Sequence, residues 1–181
     1  MKPAEVERNE FFKFAQLRRS DVIWDFGCGN GRYIYPVRKV YATDIKKGKA
    51  PGCEIDKFLA LCVMHYIQEK DVILDMAYNQ LKEGGHIVLI EPNPINPFFY
   101  CLYFWRWITQ SKCERRWNKE KYMSTKIELI LMLSRAGFKN IEVKKYAWFP
   151  SKFRWLRLNR LLNNMPLLGC MNAFNWIRGE K

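Results

Sequence analysis

The chain is poor in the residues that build metal centres and disulfide frameworks. It has only two histidines, His65 and His86, and its six cysteines, at 28, 53, 62, 101, 113 and 170, form no C-x-x-C pair. A metal site is therefore not expected, and cysteines in core and turn positions suit a reducing compartment. There is no uninterrupted apolar run of about 18 residues, so no segment reads as a transmembrane helix. The first ten residues are charged and lack an apolar h-region, so no secretory signal is expected and the reading is cytoplasmic. Internal repeats and low-complexity linkers are absent too. What remains is one domain over 1–181, long enough to bury a single core. Its hydrophobic content of 49% excludes disorder. Acids are also scarce: 18 against 31 Lys and Arg, a net charge of +13. That balance favours anionic surfaces as partners.

Glycines are few but concentrated. Val22-Ile-Trp-Asp-Phe-Gly-Cys-Gly-Asn-Gly31 is an apolar run ending in Asp25, with Gly27, Gly29 and Gly31 at alternate positions around Cys28 and Asn30. The run reads as a buried parallel strand and the glycines as a tight turn at its C-terminal end, where open α/β sheets bind ligands. Glycine permits φ > 0 and lets a ligand approach without meeting a Cβ. The spacing is not G-x-G-x-x-G, and no Gly-Lys-Ser/Thr follows. A second apolar run, Val40-Tyr-Ala-Thr-Asp44, also ends in an acid, where nucleoside-binding sheets hold a ribose diol.

Together, D-F-G-C-G-N-G and A-T-D-I resemble the first two motifs of the class I S-adenosylmethionine-dependent methyltransferases. Three later segments are similar to that family in the same order: Asp56 to Ile67, Leu81 to Pro92 with its L-K-E-G-G and closing E-P, and Ser134 to Val143 with its A-G-F. The closing residues Asn172 to Lys181 resemble its last strand. The resemblance spans essentially the whole chain. It implies a Rossmann-like, doubly wound, mostly parallel α/β sheet with helices on both faces. It also implies S-adenosylmethionine as cofactor, cradled by Asp25 and residues 27–31. Asp44 and Ile45 would lie on the ribose side, and Ala60 and Leu61 would line the methionine side. His65 and Tyr66 fall at the mouth of the pocket, where His65 could accept a proton from a hydroxyl acceptor or simply pack. Glu91, at the end of a strand, either contacts substrate or is a buried carboxylate bonded to backbone.

One departure stands out. Only eleven residues separate Asp44 from Asp56, too few for the helix and strand the family places there. The expectation is about six strands instead of seven, with no element between Lys46 and Glu54 and an open adenine side. Glu54 or Ile55 would supply part of the missing contact.

Further elements follow from pattern. Helices are expected at Glu5–Leu17, with Val6, Phe11, Phe14, Ala15 and Leu17 inward, at Arg32–Arg38 despite Pro36, at Glu69–Leu81 with Gly84 or Gly85 as C-cap, and at Arg154–Leu162. A capping box, Thr125-Lys-Ile-Glu128, opens a helix burying Ile127, Ile130, Leu131 and Ala136.

Within 93–123, expected to be a lid or substrate insertion, Phe98 to Ile108 holds seven aromatics in eleven residues, including Phe98, Tyr103 and Trp105. Lys112, Arg115, Arg116, Lys119 and Lys121 follow. Such a segment either packs over the crevice, or meets an apolar substrate or an anionic membrane surface. Basic residues among aromatics also suit RNA, but no N/D-P-P-Y/F follows the strand before His65. Three functions stay open: methyl transfer to a small apolar or lipid-like acceptor, RNA methylation, and a non-catalytic role through the aromatic-basic surface. The acceptor, the methylated atom and the oligomeric state are not legible.

Overall fold

A computed structural model describes residues 3–29, 35–44, 50–97, 101, 122–146 and 171–181, with the side chains of 3–7 and 146 excepted. The Arg154–Leu162 helix, the Lys46–Lys49 part of the short link and nearly all of the aromatic-basic segment lie outside these residues.

Among the described residues six strands form one sheet: β1 (Val22–Phe26), β2 (Lys39–Thr43), β3 (Ile55–Leu61), β4 (Leu81–Pro92), β5 (Lys139–Tyr146) and β6 (Phe174–Glu180). Their order is β2-β1-β3-β4-β6-β5. The first four run parallel, and β6 is antiparallel to both β4 and β5. This is the doubly wound architecture expected, with β2 as an edge. Among the described residues of the short link, 50–54, there is neither helix nor strand. No helix among the described residues is long and apolar enough to cross a membrane.

Strand side chains alternate between two cores, as the period-two pleat requires. Trp24, Phe26, Phe58, Ala60, Ile87, Leu89 and Ile177 face one side, where α2 (Lys70–Gln80) and α3 (Lys126–Arg135) pack. Ile23, Leu59, Val88 and Trp176 face the other, covered by Phe11, Phe14 and Ala15 of α1 (Pro3–Phe14) and the residue just beyond it. Trp24 meets Phe58 edge-on at 5.0 Å between centroids, and its Nε1 donates to Thr43 Oγ1 at 2.7 Å. That pair locks β1 against both neighbours in the sheet.

Several expectations are corrected here. The Thr125 hydroxyl and the Glu128 carboxylate do form the capping box. The helix behind it, however, buries Leu129 and Leu133, while Ile127 and Leu131 stand 65% and 49% exposed. Both pairs are four residues apart, so spacing alone could not rank the two stripes. Helix α2 ends at Gln80 and is capped by Leu81, whose N–H donates to Ala77 O as the chain turns extended. Gly84 and Gly85 are therefore not its C-cap. They pair instead with the C-terminus, Gly84 N donating to Lys181 O and Lys181 N to Gly85 O. Tyr35 to Arg38 is irregular rather than helical, because Pro36 cannot join an i to i−4 ladder.

Candidate functional site

The glycine turn sits at the C-terminal edge of β1. Gly27 and Gly29 have φ of 72° and 55°, the left-handed region that glycine enters without penalty. Their surroundings differ. A Cβ on Gly27 would stand 2.2 Å from Val63 Cγ2, whereas one on Gly29 would meet nothing within 4 Å. Gly27 is thus a packing glycine, and Gly29 borders open space. The turn is tied to β2: Thr43 O accepts from Gly27 N at 2.7 Å and Cys28 N at 3.2 Å. Asp44, exposed, comes directly after that carbonyl. Burial first, and then the charges of Asp25 and Asp44, push the Cys28 thiol up from its ordinary value. The turn therefore lies in the field of both acids, the two expected to flank a cofactor. Asn30, Gly31 and Ile45 fall outside the described residues.

Asp25 is buried, 6% exposed, and accepts from Tyr35 Oη at 3.1 Å. Desolvation raises its pKa to about 6, against the pull of the Tyr35 hydrogen bond. The sign follows directly. Between pH 4 and 6 the folded chain holds a proton that the unfolded chain has lost, so stability falls as pH rises through that window. A shift from 3.8 to about 6 costs about 3 kcal/mol at neutral pH, at about 1.4 kcal/mol per unit. Asp25→Asn keeps an acceptor for Tyr35 and removes this cost. We expect it to be more stable than the parent at pH 7.5 by up to about that amount, with the slope between pH 4 and 6 flattened. Denaturant melts at several pH values measure both.

At the end of β3 stand the two residues expected on the methionine side. Ala60 has no exposure and belongs to the core, and Leu61 is half-buried. Cys62 directly follows the strand. It is exposed, has φ of 55°, and donates its N–H to Ile90 O at 2.7 Å. Left-handed backbone in a non-glycine residue costs roughly 1 kcal/mol and clusters at functional sites. The suggested stand-ins for the adenine contact are misplaced. Ile55 opens β3, so Glu54 and Ile55 lie at the opposite edge of the sheet from the glycine turn.

After Cys62 the chain makes a single 3-10 turn, Met64–Tyr66. Glu91, next to last in β4, is 3% exposed and fastens it. Its Oε1 accepts from Val63 N and Met64 N, both at 2.8 Å. Its Oε2 accepts from His65 N at 3.2 Å and His65 Nδ1 at 2.7 Å. Of its two readings, the geometry matches the buried carboxylate bonded to backbone, and we give Glu91 a positioning part rather than a substrate contact. Because a carboxylate only accepts, His65 Nδ1 donates in this bond, and in the neutral ring the lone pair is the one on Nε2. The His65 ring is 5% exposed and lies 4.0 Å, centroid to centroid, from the ring of Tyr66, which is 40% exposed. Val63, which Gly27 abuts, belongs to the same stretch. The sheet thereby brings the glycine turn and His65 together.

Neighbouring strands add a polar cluster that sequence reasoning missed. Asn93, Asn96, Asn172 and Asn175 are each at most 2% exposed. Asn93 Nδ2 donates to Asn172 O and Asn96 Nδ2 to Met171 O, knitting the exit of β4 to the entry of β6. Asn93 and Asn96 sit in the E-P-N-P-I-N-P run, whose prolines signalled an irregular exit; the partner asparagines, about eighty residues on, gave no signal. Phe98, Tyr103 and Trp105 are outside the described residues. No group of His, Cys, Asp and Glu able to hold a metal occurs among the described residues.

With this geometry in view, comparison with solved structures decides the fold. A methyltransferase from Mesorhizobium loti described as S-adenosylmethionine dependent aligns over 95% of this chain and 97% of its own, with TM-score 0.59 and 16% identity. The fold is that of the class I S-adenosylmethionine-dependent methyltransferases. A putative S-adenosylmethionine-dependent methyltransferase from Listeria monocytogenes aligns over 98% of this chain and 99% of its own, with TM-score 0.61 and 17% identity. Human N-acetylserotonin methyltransferase, solved with S-adenosylmethionine, aligns over 97% of this chain but 52% of its own, with TM-score 0.58 and 17% identity. No family model matches the chain, and no curated relative matches it by sequence. Within the methyltransferase fold, Asp25, Gly27, Gly29 and Asp44 occupy the strand ends at which such sheets bind their ligand.

Proposed function

We infer that the chain transfers a methyl group from S-adenosylmethionine to a small, apolar or lipid-like acceptor. The observation that carries this reading is the open space beside Gly29, in a turn that feels the charges of Asp25 and Asp44 and whose Gly27 abuts the stretch bearing His65. The turn's backbone and Asp25 would hold the methionine end, and Asp44 the ribose hydroxyls. The cofactor supplies a methyl group on a sulfonium whose leaving group is already activated. The protein's part is then alignment, which contributes a large share of the rate in such displacements. His65 Nε2, with Nδ1 committed to Glu91, would take a proton from a hydroxyl or amine acceptor. Tyr66 stands beside it at the surface. Phe98, Tyr103 and Trp105 would receive the apolar body of the acceptor, with the basic residues after them meeting an anionic membrane surface.

Calorimetric titration with S-adenosylmethionine and its demethylated product tests the reading, with micromolar binding expected. Ionised Asp25 favours a cationic ligand, so binding should tighten as pH rises through about 6. Absence of heat at millimolar cofactor would reject the catalytic reading. The edge position of β2 favours a second one, a methyltransferase fold that no longer catalyses, and that result would select it. Cosedimentation with anionic and neutral liposomes tests the membrane part, each Lys or Arg at an anionic surface contributing on the order of 1 kcal/mol. Salt-sensitive binding to structured RNA that exceeds binding to liposomes would favour the RNA alternative.

A further inference from the structure

At the far edge of the sheet, where the parallel strands begin, lies a polar cavity of about 120 Å³. It is lined by Arg18 and Asp21 ahead of β1, Asp56 and Lys57 of β3, and Lys82 to His86 of β4. One water needs roughly 10–15 Å³ of such space, so the cavity has room for a polyatomic ion. Lys57 is 6% exposed, and its Nζ makes one hydrogen bond, to His86 Nδ1 at 3.0 Å. An ammonium uses Nδ1 as an acceptor, which leaves His86 neutral with its proton on Nε2. Burial, followed by the charges of Lys57 and Arg178, holds His86 below its ordinary value, in agreement with that state. Two of the three donors on Lys57 Nζ remain, in a place where burying an ammonium without a carboxylate at hydrogen-bond distance is costly. Burial accordingly lowers the Lys57 value, with the Asp21 charge opposing.

Of the other lining charges, Asp56 and Lys82 are already engaged with each other. Asp56 accepts from Lys82 Nζ at 2.8 Å and Val22 N at 2.7 Å. Glu83 is turned to solvent, 4.0 Å from Lys181. Asp21 Oδ2 accepts from the Arg18 backbone N–H at 2.8 Å, a bond that does not use the guanidinium, and that guanidinium has no hydrogen-bond partner among the described residues. The cavity thus combines two cations, Arg18 and Lys57, that have donors to spare, with one acid, Asp21, that can still accept.

We propose that this cavity binds a hydrogen phosphate or phosphate monoester group, Arg18 and Lys57 donating to its oxygens and its P–O–H donating to Asp21. Sulfate has the same shape and charge but carries no proton at neutral pH. It would set an oxygen against Asp21 and bind more weakly. The site stands roughly 16 Å from Cys62 along β3, at about 3.3 Å per residue, so it is separate from the methyltransferase crevice and does not rest on the proposed activity.

The test is titration of the full chain with inorganic phosphate at constant ionic strength, set by chloride. Thermal unfolding and the His86 imidazole resonances serve as readouts, and sulfate as comparator. Phosphate should raise the unfolding temperature and move the His86 resonances, with sulfate at least several-fold weaker. Arg18→Gln, at an exposed residue, and Lys57→Met should each weaken phosphate binding by about tenfold or more, since charge-assisted hydrogen bonds are lost. Each 1.4 kcal/mol is tenfold. If Lys57→Met does not fold, Arg18→Gln alone decides. Phosphate responses no larger than chloride responses, or unchanged in Arg18→Gln, would overturn the site. Equal affinity for sulfate would overturn its assignment to hydrogen phosphate.

Discussion

Gly29→Val will abolish binding of S-adenosylmethionine while leaving the chain folded, and Gly27→Ala will do the reverse in emphasis, costing stability first. The two residues are neighbours in one turn and both have positive φ, so backbone strain of roughly 1–2 kcal/mol is common to them. Their environments separate the outcomes. At Gly29 an added Cβ meets nothing within 4 Å, and a branched side chain extends into the space proposed for the ligand. At Gly27 the Cβ would sit 2.2 Å from Val63 Cγ2, well inside contact distance. Val63 cannot retreat easily, because its N–H is held by Glu91 and its side chain is in the core. We therefore expect an unfolding penalty of several kcal/mol for Gly27→Ala, strain and overpacking together. Unfolding melts run beside cofactor titration distinguish the two. A Gly29→Val variant that binds cofactor with parental affinity would remove the turn from the proposed site.

The parts of the fold legible in the sequence are those where one residue type has one physical use. An apolar run closed by Asp25 and followed by spaced glycines leaves little choice but a strand and a tight turn, and β1 and the positive φ of Gly27 and Gly29 are that outcome. The eleven residues between Asp44 and Asp56 are too few for a further helix and strand, and β2 is accordingly an edge. Thr125 and Glu128 cap a helix through local bonds alone, so their spacing suffices. Ambiguity entered where two patterns had equal local merit. Ile127/Leu131 and Leu129/Leu133 share the same spacing, and only the position of the sheet chooses the second pair. Gly84 and Gly85 look like a helix terminator, yet the partner that claims them is Lys181, almost a hundred residues away. Tyr35 reaches Asp25 from beyond the glycine turn, and the buried Asn93 finds its partner at Asn172, about eighty residues away. Long-range polar pairing of this kind leaves no periodic trace.

Glu91 and His65 should fail in different ways. His65→Asn should lower kcat by about 10²–10⁴, the usual contribution of a positioned general base, with cofactor affinity and melting temperature little changed. Glu91→Gln should lower both stability and kcat. The carboxylate receives three backbone N–H groups and the His65 Nδ1–H. A glutamine offers one acceptor oxygen and turns an NH2 group toward donors, so buried N–H groups lose their partners. A buried donor left unsatisfied costs about 1–3 kcal/mol, and more than one is affected here. Without the acceptor at Nδ1, the imidazole is also free to carry its proton on Nε2, the nitrogen needed as base. The kcat deficit of Glu91→Gln should then persist at temperatures where the variant remains fully folded, and its KM for the cofactor should change less than its kcat. Glu91→Asp keeps the charge but shortens the reach, and should recover part of the stability and less of the rate. Equal kcat for His65→Asn and the parent would make the histidine a packing residue and leave alignment alone to account for turnover.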